Sequence, residues 1–197
     1  MIKRKICFLT LAKGHSDRLK NKNFRNFNNK PLIHWTIKKI LKISKKYFVN
    51  SDNDLILNYS KKLGAKTIIR NKKLRENNLP SRILMLESFR YFPKGTNAVI
   101  HVQANSPNLN LNKIMKVYQL LKYTNIEDVF SIDDKGNING SIWGITKKKL
   151  LTYNLSKKIH DHKSLKNELW LLDDSIDIHY LSDLKLAEKI FKKNLKN

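Results

Sequence analysis

The chain of 197 residues has one cysteine, four prolines, six glycines and few acidic groups. It also has no apolar run near the roughly 18 residues that would cross a bilayer. Each shortage excludes something. A single cysteine rules out a disulfide framework and any multi-cysteine zinc or iron–sulfur site. Cys7 lies in an apolar run and reads as a buried small hydrophobe. So little glycine and proline leaves no room for a collagen-like or linker-rich chain. The stretch Met1–Leu11 imitates the start of a signal peptide, but its apolar core is short and Lys13–Arg18 is a poor cleavage region. The expectation is a cytoplasmic protein with no membrane association. Acidic residues number 16 against 40 basic ones, a formal net charge of +24. Charge alone would favour a nucleic-acid-binding domain. Yet 33 of the basic residues are Lys, only 7 are Arg, and the lysines spread along the whole chain. Asn and Ile are also heavily used, a joint bias that suggests an AT-rich coding sequence. A dedicated nucleic-acid surface clusters Arg with aromatics, so no nucleic-acid partner is expected. The charge still concentrates anionic ligands such as nucleotides.

What is present is a globular balance, 41% hydrophobic and 28% charged, in a length suited to one domain over residues 1–197. Apolar runs alternate with helical patterns from end to end. That predicts an α/β fold, a doubly wound, mostly parallel, Rossmann-like sheet covered by helices. Continuous apolar runs at Lys5–Ala12 and Ala98–Gln103 read as buried central strands. Further strands are expected at Lys46–Asn50, Ala65–Arg70, Asp128–Ile132, Ser141–Ile145, Leu169–Leu172 and Ile176–His179. Helices are expected at Pro31–Leu41, Asp54–Leu63, Ser81–Phe92, Asn112–Leu121, Lys147–Tyr153 and Asp183–Leu195, the last with Asp183 or Ser182 as N-cap. Segment Ser156–Lys166 is unpatterned. In such a sheet ligands bind at the C-terminal ends of the strands.

At the end of the first strand the chain reads Leu11-Ala12-Lys13-Gly14-His15-Ser16-Asp17-Arg18-Leu19-Lys20-Asn21-Lys22-Asn23. Backbone N–H groups in such a turn form an anion-binding nest, and Lys13, Arg18 and Lys22 are placed to neutralise phosphates. The loop lacks the Gly-Lys-Ser/Thr end of a P-loop and is not a dinucleotide fingerprint. Taken alone, it equally describes a basic solvated loop.

The order of features along the chain resembles the sugar-acid cytidylyltransferases, the family of the acylneuraminate (CMP-sialic acid) and Kdo synthetases. The resemblance starts with Ala12-Lys13-Gly14-x-Ser16-x-Arg18-Leu19, then Lys22-Asn23 and Asn29–Ile33. It continues through Phe48–Asp52, Leu63-Gly64-Ala65, Ile69-Arg70, Val102–Pro107, Phe130–Ile132, Asn139–Trp143 and Ser175–Ile178 with Asp183 and Ala187-Glu188. It implies a nucleotide-diphospho-sugar transferase type of fold and transfer of CMP from CTP to an acidic sugar, with pyrophosphate leaving. It gives Lys13, Arg18 and Lys22 a catalytic role at the triphosphate. Ala12, Gly14, Ser16, Asn23 and Arg70 would bind nucleotide, and Gln103 and Ser106 would hold the cytosine and ribose. Asp177 and His179 would hold Mg²⁺, or Mn²⁺ as the alternative. The acceptor reads as a nonulosonic, sialic-type acid, with Kdo or a phosphonate as alternatives.

The departures from the family pattern are Lys13 for Arg, His15 for a second Gly, Asp17 where the sialate branch has Lys, and His179 for a second metal carboxylate. An imidazole serves Mg²⁺ less well than a hard oxygen. These departures favour a second reading, a non-catalytic member that binds nucleotide or a partner. The stretch between Ile132 and Asn139 is short where relatives carry material used between subunits, so a monomer or weak homodimer is expected. His160-Asp161-His162 reads as a surface loop rather than a metal site, since no third ligand is evident. His34 and His101 read as packed histidines, and Trp35, Trp143 and Trp170 as core aromatics. Asp173-Asp174 reads as a turn, with replacement of a lost metal carboxylate as the alternative.

Overall fold

The computed structural model describes residues 3–75, 79–152 and 167–194. Strand β1 (Ile6–Ala12) is followed by a small hairpin, β2 (Asn26–Phe27) and β3 (Lys30–Pro31). Next come α1 (Leu32–Ile43), β4 (Tyr47–Ser51), α2 (Asp54–Lys62), β5 (Lys66–Ile69) and α3 (Ser81–Ser88). The chain continues through β6 (Ala98–Val102), α4 (Leu111–Tyr123), β7 (Asp128–Ile132), β8 (Ile138–Thr146), α5 (Lys147–Thr152), β9 (Glu168–Leu172) and α6 (Leu181–Asn194). Seven strands form one sheet in the order β5-β4-β1-β6-β8-β7-β9. All neighbours are parallel except β8, which runs antiparallel to both β6 and β7.

The apolar run of β1 is continuous because both of its faces are covered. Phe8 points to the side of Ile33, Ile37 and Ile40 of α1 and Val117 and Leu121 of α4. Cys7 and Leu9 point the other way, to Met85 of α3, Phe92 and Leu150 of α5. Buried Cys7 thus behaves as the small hydrophobe expected. A third, smaller core lies apart from the sheet. It joins Leu19, Phe27 and Leu32 to Ile178, Leu184 and Ala187. There Phe191 of α6 packs edge-on against both Phe27 (5.3 Å) and Trp35 (4.6 Å).

Four expectations need correction. Residues 176–179 are not a strand. Pairing of β9 with β7 ends at Leu172, and the chain then crosses the C-terminal ends of the strands, where the Ile178 N–H donates to the Asn105 carbonyl (3.0 Å). With one such bond and no ladder, the segment stays irregular. The helix expected over Ser81–Phe92 is α-helical only to Ser88, after which i→i+3 bonds tighten the chain. Helix α6 begins at Leu181, so Asp183 is not its N-cap. Its carboxylate reaches back from the first turn to accept the N–H groups of His179 (2.8 Å) and Tyr180 (2.7 Å). Trp170 is not a core residue. It sits on edge strand β9, 42% exposed, against Phe130. The short link between β7 and β8 is a tight turn, with Asp133 accepting the N–H groups of Lys135 (2.9 Å) and Asn137 (2.7 Å). His160, Asp161 and His162 lie outside the described residues.

Candidate active site

From β1 the chain builds outward through β4 to β5, then returns to lay β6 on the other side of β1. At that switch point the connections leave in opposite directions and open a crevice beyond the strand ends. The crevice here is a cleft of about 440 Å³. One wall is the loop after β1, which contributes Lys13, Ser16, Arg18, Lys22 and Asn23. The floor is β6 and its extension, through His101, Gln103 and Asn105. Arg70 enters from the end of β5, and Asp177 and His179 from the segment before α6. Nine of the twelve residues assigned a site role from the sequence therefore meet in one place.

The other three lie behind it. Ala12 is fully buried at the end of β1. Ser106 is buried, and its hydroxyl has no hydrogen-bond partner among the described residues. Gly14 faces the turn after β4. Its N–H donates to Asp52 Oδ1 (2.7 Å), and a Cβ there would lie 2.6 Å from that of Asn53. No side chain fits, so Gly14 lets the loop lie against that turn.

The cleft gathers Lys13, Arg18, Lys22 and Arg70 against Asp17 and Asp177. Asp17 is drawn to His15 in an exposed pair at 3.0 Å. Burial pushes the Lys22 ammonium below its ordinary pKa, while Asp177 pulls it up and Arg18 adds repulsion. Asn23 fixes the loop by donating to the Lys13 carbonyl (2.8 Å). The surplus of positive charge suits a polyphosphate.

Arg70 is 2% exposed and held by a buried relay. Its Nε donates to Asn50 Oδ1 (3.0 Å) and its Nη2 to the Asn50 carbonyl (3.2 Å). Asn50 Nδ2 in turn donates to Ser88 Oγ (3.2 Å), whose hydroxyl donates to the Leu84 carbonyl (2.7 Å). Nη1 is left buried without a hydrogen-bond partner among the described residues. A buried donor of this kind is available to a ligand or water that enters the cleft.

Opposite, His179 Nε2 lies 2.7 Å from Asp177 Oδ2. The other oxygen, Oδ1, accepts from Asn105 Nδ2, which also donates to the Ile178 carbonyl (3.1 Å). Burial raises the Asp177 pKa, opposed by His179, Lys22 and Arg18. No group of three or more metal-ligating side chains occurs among the described residues. One carboxylate and one imidazole still fit a divalent ion of the kind that takes its remaining oxygens from substrate phosphates and water. The imidazole tilts the donor set toward Mn²⁺. Asp173 is no substitute. It is buried, and its carboxylate already accepts from Ser141 Oγ (2.5 Å), Asn139 Nδ2 (3.3 Å), Lys113 Nζ (3.2 Å) and Ser175 Oγ.

Two residues gain a place that sequence reasoning did not give them. Asn105 pins Asp177, and His101 lines the cleft with its Nε2 buried and unpartnered among the described residues. A third device lies beneath. Lys39 of α1 donates to the carbonyls of Leu109 (2.7 Å) and Pro107, holding the loop that follows β6. Burial pulls its pKa from 10.5 down to about 8. Above about pH 8 the folded chain releases this proton while the unfolded chain keeps it to about 10.5. Stability therefore rises with pH across that window. Urea unfolding should show wild type gaining on the order of 2 kcal/mol over Lys39→Met between those limits; a gap that stays constant or narrows would contradict the assignment.

The fold and its cleft define a doubly wound α/β domain with a cation-lined crevice at its switch point, and comparison with known proteins narrows it. The sequence pattern of the cytidylyltransferase family matches residues 7–174, and the chain belongs to that family. It is 29% identical over 125 residues to N-acylneuraminate cytidylyltransferase B of Danio rerio, covering 63% of this chain and 29% of the relative. It is 24% identical over 227 residues to pseudaminic acid cytidylyltransferase of Campylobacter jejuni, covering 97% of each. The chain thus spans about three tenths of the N-acylneuraminate relative and nearly all of the pseudaminic acid one. Among solved structures, CMP:2-keto-3-deoxy-manno-octonic acid synthetase complexed with CTP superposes with a TM-score of 0.76 at 11% identity, covering 96% of this chain and 99% of the other. Rv0371c of Mycobacterium tuberculosis, in a complex with manganese, gives 0.69 at 11% identity, covering 93% and 98%. These structural likenesses establish the fold.

Proposed function

We propose that the chain transfers CMP from CTP to an acidic sugar of the nonulosonic, sialic type and releases pyrophosphate. The observation that carries this reading is the convergence, in one cleft at the switch point, of four cations with the Asp177–His179 pair. Lys13, Arg18 and Lys22 bind the triphosphate and neutralise the charge that grows on departing pyrophosphate. Arg70, fixed by Asn50, offers Nη1 to the nucleotide. Gln103 reads the cytosine edge, since an amide both donates and accepts. Its Oε1 is buried without a partner among the described residues, and Gly140 leaves room for its amide, because a Cβ there would lie 2.8 Å from Nε2. Ser106 supports the ribose side from behind the floor. Asp177 and His179 would hold Mg²⁺ or Mn²⁺, which would supply neutralisation of phosphate charge. The acceptor class rests on the N-acylneuraminate and pseudaminic acid relatives. Kdo or a phosphonate is the alternative acceptor.

The short β7–β8 turn supports a monomer or weak homodimer. No helix among the described residues is long and apolar enough to cross a membrane, and a cytoplasmic site of action is part of the proposal. The exposed His15–Asp17 pair in the cation loop favours the second reading, nucleotide or partner binding without catalysis.

Pyrophosphate release from CTP with Mg²⁺ or Mn²⁺ and a panel of acidic sugars tests the reaction. CTP should also stabilise the fold against heating more than ATP or GTP. At a hundredfold excess over Kd the gain is about 2.7 kcal/mol, a shift of several degrees. Equal shifts with all three would mean that charge alone attracts any triphosphate.

A further inference from the structure

Strand β8 breaks its ladder with β7 beside the cleft. Phe130 faces Trp143 and Ile132 faces Ile138, so a single residue of β7, Ser131, stands opposite residues 139–142 of β8. Bulges of this kind re-aim what the strand presents. Here it presents Gly140, in the left-handed region at φ +67° and so close to Gln103 that a Cβ would lie 2.8 Å from Nε2. The backbone of Gln103 is fixed independently. Its N–H donates to the Ser141 carbonyl (3.0 Å) and its carbonyl accepts from Thr36 Oγ1 (3.1 Å). The side chain reaches the cleft, and Gly140 is the wall against which its amide rests.

Side chains hold this bulge in shape. The Ser131 hydroxyl donates to Asn139 Oδ1 (2.5 Å) and accepts from the Ile142 N–H (3.0 Å). Asn139 Nδ2 donates to the Asp173 carbonyl (2.9 Å), and the Ser141 hydroxyl donates to Asp173 Oδ2 (2.5 Å). The bonds converge on Asp173, whose side chain is fully buried. Lys113 of α4 supplies a counter-charge at 3.2 Å, and the Asp173 N–H donates to the Ile132 carbonyl at the end of β7 (2.8 Å). A buried carboxylate is costly unless it is paired and hydrogen-bonded. Two of the partners gathered around this one, Asn139 and Ser141, flank Gly140 in the chain.

We propose that Asp173 is a positioning residue: through Asn139 and Ser141 it sets Gly140, and through Gly140 it sets the Gln103 amide against the nucleotide. The inference rests on the proposed contact of Gln103 with the base of CTP. Asp173 lies outside the cleft, and on this route its effect on CTP passes through Gln103. An amide displaced by a fraction of an ångström weakens its hydrogen bonds to a ligand. Damage to the bulge therefore matters while Gln103 is present and ceases to matter once Gln103 is gone. A general loosening of the fold would act in both cases.

A double-mutant cycle on CTP affinity provides the test. Titration calorimetry with CTP alone gives Kd for wild type, Ser141→Ala, Gln103→Leu and the pair. Ser141→Ala should weaken binding by about fivefold and Gln103→Leu by about tenfold. The pair should be no weaker than Gln103→Leu alone. Gly140→Ala, which presses on Nε2 with the hydroxyl network intact, should show the same loss and the same dependence on Gln103, and it serves if Ser141→Ala does not fold. Losses from these variants that are equal with and without Gln103, or no loss at all, would overturn the inference while Gln103→Leu still upholds the base contact. A Gln103→Leu protein that binds CTP as tightly as wild type would reject that contact and the inference with it. Failure of the wild-type chain to bind CTP would overturn both.

Discussion

Replacing Asp177 by alanine is expected to reduce pyrophosphate release by at least about 10³-fold with either Mg²⁺ or Mn²⁺. Asp177 is the group through which the two sides of the cleft communicate. One oxygen accepts from Asn105 at the end of β6 and the other meets His179 at 2.7 Å. It also counters the charge of Lys22 and Arg18. Alanine removes an anion from among cations and leaves Asn105 without its acceptor. Asp177→Asn, similar in shape and uncharged, isolates the loss of charge and should be equally inactive while unfolding near the wild-type temperature. His179→Asp should raise the rate with Mg²⁺ and lower the preference for Mn²⁺, since it replaces an imidazole by a hard oxygen donor. Rates with both metals, measured alongside unfolding temperatures, decide the matter. An Asp177→Ala protein at wild-type rates would show that the pair has no part in the chemistry.

The second large effect is expected at Asn50, which does not line the cleft. Leucine has nearly the same size but accepts no hydrogen bond, so Asn50→Leu takes from Arg70 the side-chain oxygen that holds Nε at 3.0 Å. A buried guanidinium deprived of a partner costs about 3 kcal/mol, or roughly 6–12 °C in a chain of this length. Arg70 should also lose its fixed orientation, so that KM for CTP rises more than kcat falls. Asn50→Asp keeps an acceptor at the same place and should recover most of both losses. Thermal unfolding and CTP titration of the two variants suffice. If the leucine variant unfolds and binds like wild type, the relay does not position Arg70.

The parts of the molecule that were legible in the sequence are those governed by local chemistry. The unbroken apolar runs of β1 and β6 announced strands covered on both faces, and the polar, cation-rich loop directly after β1 forms one wall of the cleft. Lys13, Arg18, Lys22, Arg70, Gln103 and Asp177 were found in this way or by the motifs around them, and the structure brings them together. What was not legible depends on partners far apart in the chain. Asn105 meets Asp177 across 72 residues, and nothing in the text around either announces the other. The alternation at Ile176–His179 suggested a strand, but a strand needs a neighbour with free backbone groups, and here the chain leaves β7 behind. His101 looked like an ordinary packed histidine because its burial is ordinary. Only the absence of a hydrogen-bond partner among the described residues distinguishes it. Asp173-Asp174 read as a turn, whereas Asp173 is a buried hub tying α4, β8 and the segment after β9.

The small third core gives the cleft a division of labour. Leu19, from the cation loop, and Ile178, next to Asp177, pack into the same apolar cluster with α6. Gln103 and His101 instead extend from the sheet, and Arg70 is braced by β4 and α3. The cation loop and Asp177 thus rest on one apolar cluster, and Gln103, His101 and Arg70 rest on the main sheet and its helices, with Asn105 and Asn108 bonding across. A substitution that thins this cluster at Leu184 is therefore expected to disturb the cation loop and the Asp177 segment together, leaving the Arg70 relay in place.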